Sequence, residues 1–238
     1  MQIGVKSDLK KLTKRLNNIQ KKQIPFATAK ALTAVGQKIK QAEIAEMKKV
    51  FDRPTRFTLN SLFLSTATKR RLKAVVWLRD WAPKGTPATK YLAPQIEGGR
   101  RRLKGFEVLL KRRGILPDGY YTVPGRRAKL DRSGNISKGL LNQILSYSQS
   151  QRDNAQNTKL STGRRSTKAR FIIFPPRGGM PGGVWQMKYG GLQPVLIFVK
   201  SPIYTKRFKF HEVADRTYRQ HWRKEFNKAL AKALETAR

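Results

Sequence analysis

Two histidines, 14 carboxylates and no cysteine are all that this 238-residue chain offers for acid–base, nucleophilic or metal chemistry. His211 and His221 are ten residues apart on a stretch that reads as helix. That puts them about 15 Å apart along its axis, too far to share a metal from one helix. They read as ordinary surface or partly buried side chains. Glu43 and Glu46, at i and i+3, could hold a cation, but Lys40, Lys48 and Lys49 are nearer and favour ion pairing within the helix. His211-Glu212 is too short for a nuclease signature, because nucleases cluster carboxylates around Mg²⁺ and the acids here are scattered. The glycines at 178, 179, 182 and 183 lack the Gly-Lys-Ser/Thr that ends a P-loop, so they read as turns. Without cysteine there are no disulfides and no thiolate metal sites. The expectation is a chain with no catalytic residue, no metal site and no cofactor.

What it has instead is cations. Lys and Arg total 52, for a net charge of +38 and an isoelectric point near 11.3. Such an excess repels itself and weakens the compact state unless an anion lies beside it. Duplex DNA, with about one charge per ~1.7 Å of axis, is one candidate; an acidic protein ring is another. The cations bunch at Lys69-Arg70-Arg71, Arg100-Arg101-Arg102, Lys111-Arg112-Arg113, Arg126-Arg127 and Arg164-Arg165. One such run is usually a solvated face. Five, with so few acids to offset them, point to an anionic partner. The arginine bias suits bidentate contacts to phosphate or carboxylate. No helix-turn-helix, zinc finger or basic zipper is present, so contacts would go to phosphates and carry little base information. Trp77, Trp81, Trp185 and Trp222 could stack on bases, but each lies in or beside a predicted element and reads first as packing.

The elements that must carry these clusters follow from periodicity. Ser7 caps a helix with Leu9, Leu12, Leu16 and Ile19 on one face. Pro25 opens a long helix from Phe26 to about Phe51, with a stripe of Leu32, Val35, Ile39 and Ala42, ended by Asp52-Arg53-Pro54. Phe57 to Leu64 reads as a short helix leading into a strand, and Lys73 to Arg79 as a strand. Trp81 to Pro87 reads as a loop. Leu103 to Arg113 and Ser137 to Ser148 are short amphipathic helices, with Tyr120 to Val123 extended between them. Phe171–Phe174, Val184–Tyr189 and Val195–Lys200 are strands separated by Gly/Pro turns. Phe210 to Ala237 is a closing helix, with Val213, Tyr218, Trp222, Phe226, Leu230 and Leu234 on its buried side. This is α+β: long N- and C-terminal helices packed on an antiparallel sheet, in a single domain over 1–238. Residues 81–169 form an insertion, and its polar, basic end at 149–169 reads as a flexible arm. The apolar runs Ala74–Leu78 and Pro194–Val199 are too short to span a bilayer, and Met1 to Gln23 has no apolar core of a secretory signal.

Several stretches also carry a likeness. Val50-Phe51-Asp52-Arg53-Pro54-Thr55-Arg56-Phe57-Thr58-Leu59-Asn60-Ser61-Leu62 resembles a segment of tail proteins of tailed bacteriophages and prophages. Ala67-Thr68-Lys69, Val76-Trp77-Leu78-Arg79-Asp80, Gly85-Thr86-Pro87-Ala88, Tyr91-Leu92 and Gly98-Gly99-Arg100-Arg101 continue it. Pro194-Val195-Leu196-Ile197-Phe198-Val199, Arg207-Phe208-Lys209-Phe210 and the closing basic helix match in style. The whole resembles a phage minor tail or tail-completion protein, and is distantly similar to the minor tail protein Z family of lambda-like phages.

That resemblance implies a structural virion protein at the head-proximal end of the tail, made in the host cytoplasm. Its implied partners are the tail terminator, the tail tube, the head–tail connector, packaged DNA through phosphate contacts, and further copies in a ring, with no membrane. Two rival classes stand beside it: a stand-alone non-specific nucleic-acid-binding protein, and a metal-dependent nuclease using Glu97 or Asp118.

Overall fold

The computed structural model describes residues 14, 16, 17, 19–83, 85–126, 128–157, 170–177, 181–188 and 190–236. The architecture is α+β. Helices are α1 (Ile24–Val50), α2 (Arg56–Leu59), α3 (Ala88–Glu97), α4 (Gly105–Arg112), α5 (Lys138–Tyr147) and α6 (Phe210–Glu235). Strands are β1 (Leu62–Ser65), β2 (Val75–Leu78), β3 (Gly99–Arg100), β4 (Tyr120–Pro124), β5 (Arg170–Phe174), β6 (Gly183–Lys188), β7 (Gly191–Lys200) and β8 (Ile203–Tyr204). They fall into two compact units, Met1–Thr89 with Phe208–Arg238, and Lys90–Arg207.

The first unit is a helix pair. Ala27 and Ala31 of α1 meet Ala229 and Ala233 of α6. Lys38 reaches Glu225 at 3.6 Å, and Phe51 packs edge-on against Phe208 with ring centroids 5.7 Å apart. Partner numbers fall along α6 as they rise along α1, so the helices run antiparallel. Alanine at the seam lets the two backbones approach closely. Tyr218, Trp222 and Phe226, spaced one turn apart, form a ladder with centroids 5.7 and 5.5 Å apart. Pro25 sits in the first turn of α1 as expected. A π turn over Ile19–Gln23 precedes it, so helical backbone continues where a break was predicted. Proline lacks the N–H and crowds the carbonyl one turn back, and the wider turn absorbs both effects. At the other end Pro54 disfavours helix at Arg53, whose φ is +46°.

Thr55 caps α2 by accepting from the Thr58 N–H at 3.2 Å. β1 and β2 then pair antiparallel, Leu62 opposite Leu78 and Leu64 opposite Val76. Gly36 lets this pair lie against α1: a Cβ there would sit 2.6 Å from Leu64 Cδ1. The first predicted helix, from Ser7, falls largely outside the described residues.

In the second unit β4–β7–β6–β5 make a four-stranded antiparallel sheet, with a bulge between Val184 and Trp185. Phe171, Val184, Leu196 and Phe198 on its inner face pack on Leu110 of α4 and on Ile144 and Leu145 of α5. Ser137 caps α5, accepting from Leu140 N–H at 3.3 Å. The long helices were expected to pack on an antiparallel sheet, and they do. In the first unit they pack on each other and α1 covers the antiparallel β1–β2 pair; within the second unit the four-stranded sheet is covered by α4 and α5. That unit runs from Lys90 to Arg207 and takes in β5–β8, beyond the insertion drawn at 81–169.

Three elements had no forecast. α3 contains Pro94, which hides a helix from a propensity reading. β3 and β8 are two-residue strands, Gly99 opposite Tyr204. The basic arm expected over 149–169 divides. Residues 149–157 are tied down: Ser150 N–H donates to Leu145 O at 2.8 Å, Ser146 Oγ to Gln156 O at 2.8 Å, and Gln151 N–H to Asn157 Oδ1 at 3.2 Å. Short polar side chains do locally what apolar anchors do elsewhere. Residues 158–169 lie outside the described residues.

Candidate functional site

The predicted basic clusters resolve into two kinds. Lys69, Arg70 and Arg71 are exposed in the β1–β2 connection. A tight local turn presents them: Thr68 N–H donates to the Arg71 carbonyl at 2.9 Å, and Arg71 N–H to Thr68 Oγ1 at 3.0 Å. The Lys69 ammonium stands 5.0 Å from the Phe26 ring centroid.

Arg100, Arg101 and Arg102 behave differently. Arg100 and Arg102 are exposed, but the Arg101 side chain is only 13% exposed and the Glu107 side chain not at all. Arg101 donates to both Glu107 oxygens at 2.7 and 2.6 Å and to the Thr122 carbonyl at 3.2 Å. Its guanidinium lies 4.7 Å from the Tyr121 ring centroid. Glu107 further accepts from Lys104 N–H at 2.6 Å and from the Thr122 N–H and hydroxyl, both at 2.8 Å. Burial alone would raise the Glu107 carboxyl. Hydrogen bonds from Arg101, Lys104 and Thr122 outweigh it and hold the group below the usual carboxylate range. Arg101 is therefore an internal tie between α4 and β4. It is not free to meet a polyanion, a correction to the cluster reading.

Lys111, Arg112 and Arg113 stand at the C-terminal end of α4, about 6–9 Å along the axis from Glu107 by helix rise. All three are exposed. Lys111 reaches Asp118 at 2.8 Å, but both side chains are open to water and the pair is weak. Arg126 is exposed just past β4. Arg127, Arg164 and Arg165 lie outside the described residues. Each unit thus carries open cations of its own: Lys69–Arg71 on the first, Arg100, Arg102, Lys111–Arg113 and Arg126 on the second.

Expected packing roles for the tryptophans hold only in part. Trp185 and Trp222 are half-buried, whereas Trp81 is 66% exposed. Trp77 is partly open and lies 5.9 Å from Phe63, with which it pairs across β1–β2. The Arg79 guanidinium sits 4.5 Å over the same Phe63 ring and Lys40 at 6.0 Å. The outer face of this strand pair is therefore aromatic and cationic together.

Glu43 also departs from its reading. It is in phase with Val35 and Met47 on the buried face of α1, and neither carboxyl oxygen has a hydrogen-bond partner. Among the described residues no lysine pairs with it. Burial, then the charge of Glu46, pushes its carboxyl up to about 8. His211 is exposed and His221 half-buried. Among the described residues no three His, Asp or Glu side chains come together as a metal ion would need. Nor is any described helix long and apolar enough to cross a membrane.

No family model, curated protein or solved structure matches this chain. Its function is therefore argued from its own surface and sequence. The Arg101–Glu107–Thr122 network was missed because its members lie on three different segments. The one local signal was Glu107, three residues after Lys104, where an N-terminal carboxylate caps a helix.

Proposed function

We propose that this chain is a non-enzymatic structural component of a tailed-phage particle, acting where the tail is completed and joined to the head. The observation that carries it is the distribution of open cations. After Arg101 is set aside, Lys69–Arg71, Arg112, Arg113 and Arg126 still face water on a chain of net charge +38. A particle supplies the missing anions as packaged DNA and as acidic faces of neighbouring rings. The phage-tail resemblance of residues 50–62 and of the segments after it gives the same direction. Partners in this reading are the tail tube, terminator and connector, with further copies of the chain in a ring. The test is position. Gold-labelled antibody against the chain, applied to purified tailed particles, should mark the head-proximal end of the tail. Label elsewhere, or no label, overturns the reading.

A second reading, a free-standing binder of single-stranded nucleic acid, is favoured by Trp81 and by the Phe63–Trp77 face with Arg79 and Lys40 beside it. Tight single-strand binding by the free protein, lost on Trp77→Ala and Trp81→Ala, would favour it over the first.

A further inference from the structure

The four-stranded sheet is largely apolar on both faces. A sheet with helices on one face normally turns polar residues to water on the other. Here the polar positions, Thr122, Gln186 and Gln193, share the face that packs on α4 and α5. The register puts Tyr121 and Val199 side by side on the opposite face, then Val123, Ile197 and Phe174, then Pro194, Trp185 and Ile172, then Leu192 and Met187. Apart from Arg170, which pairs with Met187 at the edge of the sheet, all are apolar or aromatic. Phe174 and Met187 are 41% exposed and Leu192 is 42% exposed.

Charge frames this face. Arg177 follows β5 and Arg126 follows β4, both exposed; Lys188 and Lys200 alternate to the helix-packed face, in phase with Gln186 and Phe198. The chain has no Asp or Glu between Asp153 and Glu212, and none in β4. Four strands about 4.8 Å apart and some five residues long give an apolar face of roughly 250 Å². That approaches the size of patches that mark interaction sites. It is well short of the roughly 800 Å² per partner of a stable interface, so a ligand must also engage the cationic rim.

We infer that this sheet face docks another protein, one whose contact surface is apolar at its centre and carries carboxylates around it. A second copy of the chain brings the same cations to the same rim and is repelled. Nucleic acid satisfies the rim but leaves the apolar centre uncovered. The inference deepens the reading above, in which acidic neighbouring rings are one contact, and names the surface they meet.

A synthetic amphipathic helix with leucine on one face and glutamate on the other serves as the probe, with binding followed by fluorescence anisotropy on the full chain. The wild type should bind it, and should bind polyglutamate and a leucine-to-serine version of the peptide markedly less. Phe174→Glu and Met187→Glu should each weaken peptide binding about tenfold or more, with far-UV circular dichroism and duplex-DNA affinity unchanged. Leu192→Glu, on the same face, repeats the test should either variant fold poorly. Polyglutamate binding as well as the peptide, with the variants indifferent, would reduce the effect to charge and overturn the inference. So would wild-type self-association that the same variants abolish, or an equal variant-sensitive affinity for phosphatidylglycerol vesicles. The virion assay is independent. Correct label with no peptide binding removes only this surface, and peptide binding with no label removes only the location.

Discussion

Replacing Glu43 should stabilise this protein, and by an amount that depends on pH in a calculable way. The carboxyl is fully buried, unpartnered, and raised from 4.5 to about 8. Between those two values the folded chain keeps a proton that the unfolded chain has released. Stability from this group is therefore complete below about pH 4.5 and is lost as pH rises toward 8. At about 1.4 kcal/mol per pH unit, the interval costs on the order of 5 kcal/mol. At pH 7 the cost is about 3 kcal/mol by the same slope. Glu43→Met has similar volume and no charge. Its gain over wild type should be about 3 kcal/mol larger at pH 7 than at pH 4.5. Every other ionisable group is common to the two proteins and cancels in the difference. Glu43→Gln separates charge from polarity: it should flatten the same profile while keeping a buried amide. Urea unfolding followed by circular dichroism from pH 4.5 to 9 measures all three. A gain that stays constant across that range, or a wild-type Glu43 carbon shift showing an ionised group at pH 7, would refute the argument.

The remaining predictions concern the cations and the close contacts. Arg101→Ala leaves Glu107 buried without its counter-charge and should cost about 3–5 kcal/mol by chemical denaturation. Because hydrogen bonding holds Glu107 below the usual range, its contribution is present above the ordinary carboxylate value and fades as pH falls through the folded value, so wild type should lose that advantage over Arg101→Ala in acid. Replacing Lys69, Arg70 and Arg71 together by alanine should leave stability within about 0.5 kcal/mol. If these residues meet phosphates, the same change should flatten the log–log salt dependence of DNA binding by up to about 3, measured by anisotropy on duplex DNA. Gly183→Ala would drive a Cβ into the Leu196 carbonyl beside the bulge at Val195 of β7 and should cost about 1–3 kcal/mol in a thermal melt.

Local chemistry made much of the fold legible in sequence. Ser137 caps α5 and Thr55 caps α2 because a hydroxyl before a helix accepts a backbone N–H wherever the rest of the chain lies. The β-branched runs at Val75–Leu78 and Gly191–Lys200 became strands for a similar reason. Partnership was not legible. β4 pairs with β7 across most of the second unit, and nothing within either strand names the other. Arg101 shows the same limit in the site. In sequence it is the middle of three arginines, indistinguishable from Arg100 and Arg102. Only the return of β4 places Thr122 beneath it and removes it from the surface.

The two buried carboxylates make the argument about charge sharper. Glu107 is ionised and fully engaged by Arg101, Lys104 and Thr122. Glu43 is raised to about 8 and is largely neutral at pH 7. Neither offsets the surface cations: one is spent on an internal arginine and the other carries little charge. The exposed acids that remain, such as Asp118 beside Lys111 and Asp215 beside Arg219, meet single partners in water, where pairs contribute at most about 1 kcal/mol. Among the described residues the fold does little to cancel its own excess, and the proposed partner would supply the neutralising charge. If it comes from an assembled particle, thermal stability should rise with added polyanion and with sodium sulfate far more than with an uncharged osmolyte. A melting temperature indifferent to both would mean that the chain tolerates its charge alone, and the case for an anionic partner would fall.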